Sequence, residues 1–292
     1  MNKKGPITGT FIDEITFDIP SSNWSQEQWK KDLDYMQEIG IDTVIFIRGG
    51  FGDKSVFPSK VLGTAYADDL AGIIFEETSK RDMKVLFGGY ISNGDWNRGD
   101  YATEIKINRE FIKEVCERYG DYPSFEGWYI PHETTRDALN IGEIMLGLSA
   151  ICKDNAPDKK IMMSPIFRTE FSLERHAEEW DRLFTRAGAD IDICAFQDGT
   201  ITFDKMEDFY TVTKEVCKKH NIEHWVNVET FERDVRNLFY PIPFQQLRRK
   251  LAMHEKYADK MITFEFSHFM SPQSIYPSAR NLNNLYKDYY LK

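Results

Sequence analysis

Short runs rich in β-branched and aromatic residues alternate along the chain with longer runs whose apolar positions recur every three to four residues. The first pattern suits strands and the second amphipathic helices. Strands are predicted over 7–12, 43–48, 84–90, 125–130, 160–165, 191–197, 224–229 and 260–266. Helices are predicted between them over 26–39, 68–81, 104–119, 141–155, 173–187, 205–220 and 244–257, with a last one over 279–290. Boundary residues agree. Ser25 precedes Gln26-Glu27-Gln28, an N-cap with Gln28 at the reciprocal position. Gly40, Gly120 and Gly188 follow helices, where a left-handed C-cap is expected, and Pro157 cannot continue the fourth helix.

Strict alternation of strand and helix implies a parallel sheet with right-handed crossovers. Eight such units predict an α/β fold, a closed (β/α)8 barrel. The 292 residues then form a single domain, 1–292, since such barrels need roughly 250 residues plus loops. An open doubly wound sheet is the alternative. No Gly-x-Gly-x-x-Gly follows the first strand, which disfavours a dinucleotide-binding domain.

The net charge of −10 argues against nucleic acid or an anionic membrane surface as a partner. No apolar run approaches the roughly 20 residues that span a bilayer. Met-Asn-Lys-Lys-Gly-Pro has no apolar stretch behind it and does not read as an intact signal peptide. A trimmed chain would look the same, so cytoplasmic, periplasmic and secreted locations all stay open, as does the oligomeric state. Cys116, Cys152, Cys194 and Cys217 form no Cys-x-x-Cys pair and are expected to be buried, reduced thiols.

Active sites of (β/α)8 barrels sit at the C-terminal ends of the strands. Those ends carry Asp13 and Glu14 after the first strand, Arg48 at the second, and Tyr90 with Asn93, Asp95 and Trp96 at the third. The fourth leads into His132 and Glu133, the fifth into Arg168, the sixth into Gln197 and Asp198. On the seventh, alternation places Val226 and Val228 on the helix side and Trp225, Asn227 and Glu229 inside. The same reasoning on the eighth turns Ile262, Phe264 and Phe266 toward the helices and Thr263 and Glu265 inward.

Glu133 and Glu229 are the strongest pair. Glycoside hydrolysis needs two carboxyl groups flanking one bond, and Trp96, Trp128, Tyr129, Trp225 and Phe231 could stack on sugar faces. Glu229 could instead be an ion-pair partner of Arg48 or Arg168. Asp13, Asp198 and Glu265 read as hydrogen-bonding or structural carboxylates, and Trp128 and Trp225 could equally fill the core. The predicted substrate-binding set is Arg48, Tyr90, Trp96, His132, Arg168, Gln197, Asp198, Asn227 and Glu265. His132 and His268 raise a divalent-metal alternative, but there is no His-x-His or His-Glu-x-x-His, so neither metal nor cofactor is expected. No glycine-rich phosphate loop follows the last strands and no Gly-x-Ser-x-Gly elbow exists.

At Gly127-Trp128-Tyr129-Ile130-Pro131-His132-Glu133, Phe196-Gln197-Asp198-Gly199 and Asn227-Val228-Glu229-Thr230-Phe231, nearly the whole chain resembles a bacterial family of glycoside-hydrolase-like barrels catalogued mainly as a domain of unknown function. The placement is also similar to the large clan of retaining glycosidases. That resemblance implies Glu133 as acid/base and Glu229 as nucleophile, although His132 stands where the clan usually has Asn. A weaker likeness joins residues 24–40, the strand ending at Arg48 and residues 68–90 to α-L-fucosidase barrels. Here Arg48-Gly49-Gly50 replaces a pair of histidines, and Glu133 stands where those enzymes use an aspartate.

The implied activity is a retaining glycosidase acting on a carbohydrate. A non-catalytic glycan-binding barrel and a metal-dependent sugar isomerase or hydrolase are the alternatives. The two carboxyls are expected to face each other across the barrel mouth. Glu133, among Trp128 and Tyr129, is expected to hold its proton to the higher pH, with Glu229 ionised.

Overall fold

A computed structural model describes residues 4–16, 21, 23–65, 68–92, 99–133, 142–187 and 190–292. Eight parallel strands close into a barrel: β1 (Ile7–Ile12), β2 (Thr43–Phe46), β3 (Lys84–Gly88), β4 (Phe125–Ile130), β5 (Lys160–Met163), β6 (Ile193–Gln197), β7 (Glu223–Glu229) and β8 (Lys260–Phe264). Each pairs with its neighbours in sequence, and β1 pairs with β8 through Ile7, Gly9 and Thr10. The helices are α1 (Gln26–Ile39), α2 (Leu70–Ser79), α3 (Tyr101–Tyr119), α4 (Gly142–Asn155), α5 (Leu173–Ala187), α6 (Phe203–Lys219), α7 (Phe244–His254) and α8 (Pro277–Tyr290). The (β/α)8 expectation holds.

Strand ends differ from expectation where the chain leaves the barrel to build loops. β2 stops two residues early because Gly50–Phe51 joins a small outer sheet with Lys54–Ser55, Thr64–Ala65 and Tyr90–Ile91. β8 stops at Phe264, and Phe266–Phe269 turns at once into a short helix. Ser25 and Gln28 form the expected reciprocal cap on α1, and Gly40, at φ 100°, is its left-handed stop. Gly120 instead stays right-handed, so α3 ends without the expected cap geometry, and Gly188 lies outside the described residues.

Two apolar layers follow from the alternation of side chains across each strand. The larger lies between sheet and helices. A smaller one fills the barrel, with Phe11, Ile45, Leu86, Met162, Ala195 and Trp225 among its members. Below it the floor is polar and paired: Lys160 with Glu223 at 2.8 Å, Lys260 with Asp42 at 2.6 Å, and the Trp225 indole donating to Glu223 at 2.9 Å. Three cysteines are buried, Cys116 is half-buried, and all four are free.

The last helix is tied to the first strand. The Tyr286 hydroxyl, on α8, accepts the buried Ile7 amide at 2.9 Å at the β1–β8 seam. Tyr286→Phe leaves that amide unpaired, which typically costs about 1–3 kcal/mol. Urea denaturation of the variant should show a loss of that size with an unchanged slope, and an unaltered midpoint would mean that the bond contributes nothing.

Candidate active site

Above the inner apolar layer the barrel opens into a cavity of about 170 Å³. Phe11, Ile47, Tyr129 and Phe264, all of the inner layer, form its base. Arg48, Glu133, Gln197, Asn227 and Glu229 supply polar walls. Phe231, Arg233 and Phe239 join them from a hairpin that pairs Phe231–Arg233 with Phe239–Pro241 directly after β7.

β7 has the expected parity. Val226 and Val228 pack outward, while Trp225, Asn227 and Glu229 point in. The Glu229 carboxylate lies against the α-carbon of Gly199, so closely that a Cβ there would overlap it. Beside it Asp198 is fully buried and held by three donors. Its Oδ1 accepts the Glu229 amide at 2.9 Å and the Lys250 ammonium at 2.9 Å, and its Oδ2 meets His254 Nε2 at 3.0 Å. Burial pushes Asp198 up, but Lys250, His254 and the Glu229 amide outweigh it and hold the carboxyl below its ordinary value. Glu229 moves the other way. Burial first and then the Asp198 charge push it up to about 7, against the pull of Lys250 and Arg233, and Glu133 adds to the upward push. An ionised Glu229 was expected, and its setting instead raises the carboxyl toward neutral pH.

Neighbouring polar groups are only partly satisfied. The Gln197 amide donates to the Ser164 carbonyl at 2.8 Å, and Asn227 Nδ2 reaches the Ser164 hydroxyl at 3.4 Å. The Asn227 Oδ1 is buried with no partner among the described residues, and so is Arg48 Nε. Arg48 Nη1 donates to Thr16 at 2.9 Å and lies 3.8 Å from Asp13. Among the described residues neither Arg48 nor Arg168 pairs with Glu229, so the ion-pair alternative for that residue is not realised.

Several expected contacts lie elsewhere. Tyr90 packs outward against Phe111, and its backbone is gripped by Asn108. His132 follows the outward parity of Trp128 and Ile130 and meets Glu104 of α3 at 2.8 Å. Burial lowers its pKa. Arg168 pairs with Glu170 at 2.8 Å and stacks over Phe171, outside the cavity lining. Asp198 is committed to Lys250, His254 and the Glu229 amide and lines a neighbouring cavity rather than this one, and Trp96 lies outside the described residues.

Glu265 shows the largest correction. Ile262 and Phe264 turn into the barrel, because the inner layer claims apolar side chains, and parity then sends Thr263 and Glu265 outward. Glu265 is fully buried, accepts the Asp13 amide at 3.1 Å and contacts His268. Burial lowers His268, but Glu265 and Glu14 on either side win and raise it to about 10. This charged cluster joins the ends of β1 and β8. Among the described residues no three His, Cys, Asp or Glu side chains converge as a metal set.

Sequence reasoning missed Arg233, Phe239 and Lys250. A hairpin signal was present, two short β-rich segments around Asp234 and Asn237, the latter at φ 64°. Lys250 sits mid-helix on α7 and carries no local signal at all. A second cavity, about 420 Å³, shares Glu229, Phe231 and Arg233 with the mouth and extends to Arg249 and Lys250.

A crystal structure of a putative α-L-fucosidase from Bacteroides thetaiotaomicron is similar to this chain, with 38% identity, a TM-score of 0.91, and coverage of 100% of this chain and 96% of that one. Fold likeness alone, at 13% identity, extends to a Thermoanaerobacterium saccharolyticum intracellular xylanase (TM-score 0.53, 90% of this chain and 85% of that one). It extends also to a glycoside hydrolase family 5 mannosidase from Rhizomucor miehei (TM-score 0.59, 89% and 81%). No protein of curated function matches the sequence. The family described as a domain of unknown function, DUF4434, matches residues 7–276, and the chain belongs to that family.

Proposed function

We propose that this chain is a glycoside hydrolase in which Glu133 and Glu229 flank the scissile bond. One observation carries the reading: β4 and β7 deliver the two glutamates to a single aromatic-based cavity at the catalytic end of the barrel. The likeness to the Bacteroides protein supports a carbohydrate substrate and makes fucosides the first class to try.

In the retaining sequence Glu229 attacks the anomeric carbon while Glu133 protonates the departing oxygen. The resulting glycosyl ester is then hydrolysed by a water that Glu133 deprotonates. Asn227 and Arg48 line this cavity and can bind sugar hydroxyls, and each holds one buried polar atom without a partner among the described residues. Asp198 acts through Glu229, fixing its amide and setting the charge around it.

The pKa of Glu229 favours one variant of this scheme, with roles exchanged. A carboxyl that keeps its proton to about 7 suits a general acid, and Glu133 would then be the nucleophile. The pH profile separates the two. With Glu229 as nucleophile, kcat/KM on an aryl glycoside rises as pH increases through about 7. With Glu229 as acid, it falls through the same range. Azide gives an independent check, because it restores turnover with inverted product only in the variant that lacks the nucleophile. Glu133→Gln and Glu229→Gln should each lower kcat on an unactivated glycoside by at least about 10²-fold, the low end for a lost acid or base. Wild-type rates in both variants, or no turnover of any member of a broad aryl glycoside panel by the native protein, would end the proposal.

Gly199→Ala tests the seat of Glu229. The added methyl must displace the carboxylate, and an error of about 1 Å can cost roughly 10²-fold in rate. The variant should lose activity on that scale while its circular dichroism is unchanged.

Stability supplies a further check. The folded pKa of Glu229 lies above the ordinary 4.5, so its contribution is fully present below about 4.5 and is lost as pH rises through about 7. Above that range the ionised carboxyl opposes folding by about 3 kcal/mol. Glu229→Gln should therefore be more stable than the native protein at pH 8 and gain little at pH 4.5, as judged by urea midpoints. A pH-independent difference would contradict the raised pKa.

A further inference from the structure

The mouth cavity alone, at about 170 Å³, is smaller than the roughly 300 Å³ at which small-molecule pockets usually begin. The side cavity, at about 420 Å³, is within that range and shares Glu229, Phe231 and Arg233 with the mouth. The two cavities therefore abut at these three residues. The walls of the side cavity differ in charge from the rest of the protein. Lys250 is committed to Asp198, whereas Arg233 and Arg249 have no carboxylate partner among the described residues. Arg249 lies 3.9 Å over the ring of Phe203, and Arg233 stands over Phe231 and Phe239 at 5.3 and 5.0 Å. Stacking fixes both guanidinium planes yet leaves their N–H edges free to donate. Glu232 is the one acidic wall residue besides Asp198 and Glu229. The walls thus balance three cationic side chains against three acidic ones in a chain of net charge −10, and two guanidinium groups without a carboxylate partner among the described residues suit an anion.

Resting on the glycosidase reading, we propose that the side cavity binds an acidic sugar of the substrate, one bearing a carboxylate or a sulfate ester, next to the residue held at Glu133 and Glu229. Arg249 is the primary contact, and Arg233 bridges the two cavities. The sugar ring lies on the apolar floor formed by Ile201, Phe203 and Met206.

Titration calorimetry on the full chain tests this with thio-linked oligosaccharides that cannot be cleaved. Three probes share one backbone: a uronate-bearing oligosaccharide, its carboxyl-reduced counterpart and a sulfated form. At least one acidic probe should bind tenfold or more tighter than the neutral one, and which of them does so identifies the acid group. The preference should shrink with added salt and fall below about threefold in Arg249→Met, while Arg249→Lys keeps part of it. Equal binding of neutral and acidic probes, no binding of any probe, or a preference that survives Arg249→Met overturns the proposal. Turnover of aryl glycosides is scored separately. Acidic preference without turnover keeps the subsite and removes the glycosidase reading, and turnover without preference does the reverse.

Discussion

The charge on Asp198 is the constraint around which the mouth of the barrel is arranged. A carboxylate withdrawn from water must be paired and hydrogen-bonded or it loses its charge. Asp198 meets that demand with one backbone amide from β7 and two side chains from α7. The arrangement locks the end of β6 to the next strand and to a helix 50 residues further along. It also fixes the start of the hairpin that brings Phe231, Arg233 and Phe239 to the cavity. Removing either side chain would leave the buried anion short of a partner, and the cost would fall on the segment carrying Glu229.

The same charge explains why Glu229 departs from expectation. From sequence, Glu133 among aromatic residues looked like the carboxyl to keep its proton, because proximity along the chain was the only measure of environment. In three dimensions the anion that acts most strongly on Glu229 is Asp198, supplied from the end of the adjacent strand, and Lys250 answers mostly to Asp198. Its contact with Glu229 is to the backbone oxygen, at 3.4 Å. Long-range electrostatics of this kind leaves no local trace in a sequence.

The architecture was legible because strand and helix periods differ so strongly, and β7 was read correctly because its outward valines alternate with polar residues. β8 was misread for a physical reason. Its apolar residues alternate with Thr263 and Glu265, and the larger core outside the barrel seemed their natural place. The barrel interior needs apolar filling as well, and Ile262 and Phe264 supply it. Once that parity is set, Glu265 must find partners on the other side, and His268, one helical turn on, provides them. His132 was misplaced by the same kind of error, since adjacency to Glu133 in sequence puts the two on opposite faces of the extended chain. Arg233, Phe239 and Lys250 were invisible because their positions depend on how a hairpin and a helix fold back over the strand ends.

Unpaired polar atoms and a raised carboxyl are costs in an apolar setting, about 1–3 kcal/mol for each buried group left without a hydrogen bond. At the barrel floor the corresponding positions are paired, Lys160 to Glu223 and Lys260 to Asp42. At the mouth Arg48 Nε and Asn227 Oδ1 are unpartnered among the described residues, and Glu229 holds its proton against its ordinary tendency. Among the described residues, then, inward polar side chains close on one another at the floor and line a cavity at the mouth. A carboxyl with a raised pKa lining such a cavity is a pattern found at functional sites. That pattern supports the strand C-termini as the working face, by an argument that uses neither the family nor the fold.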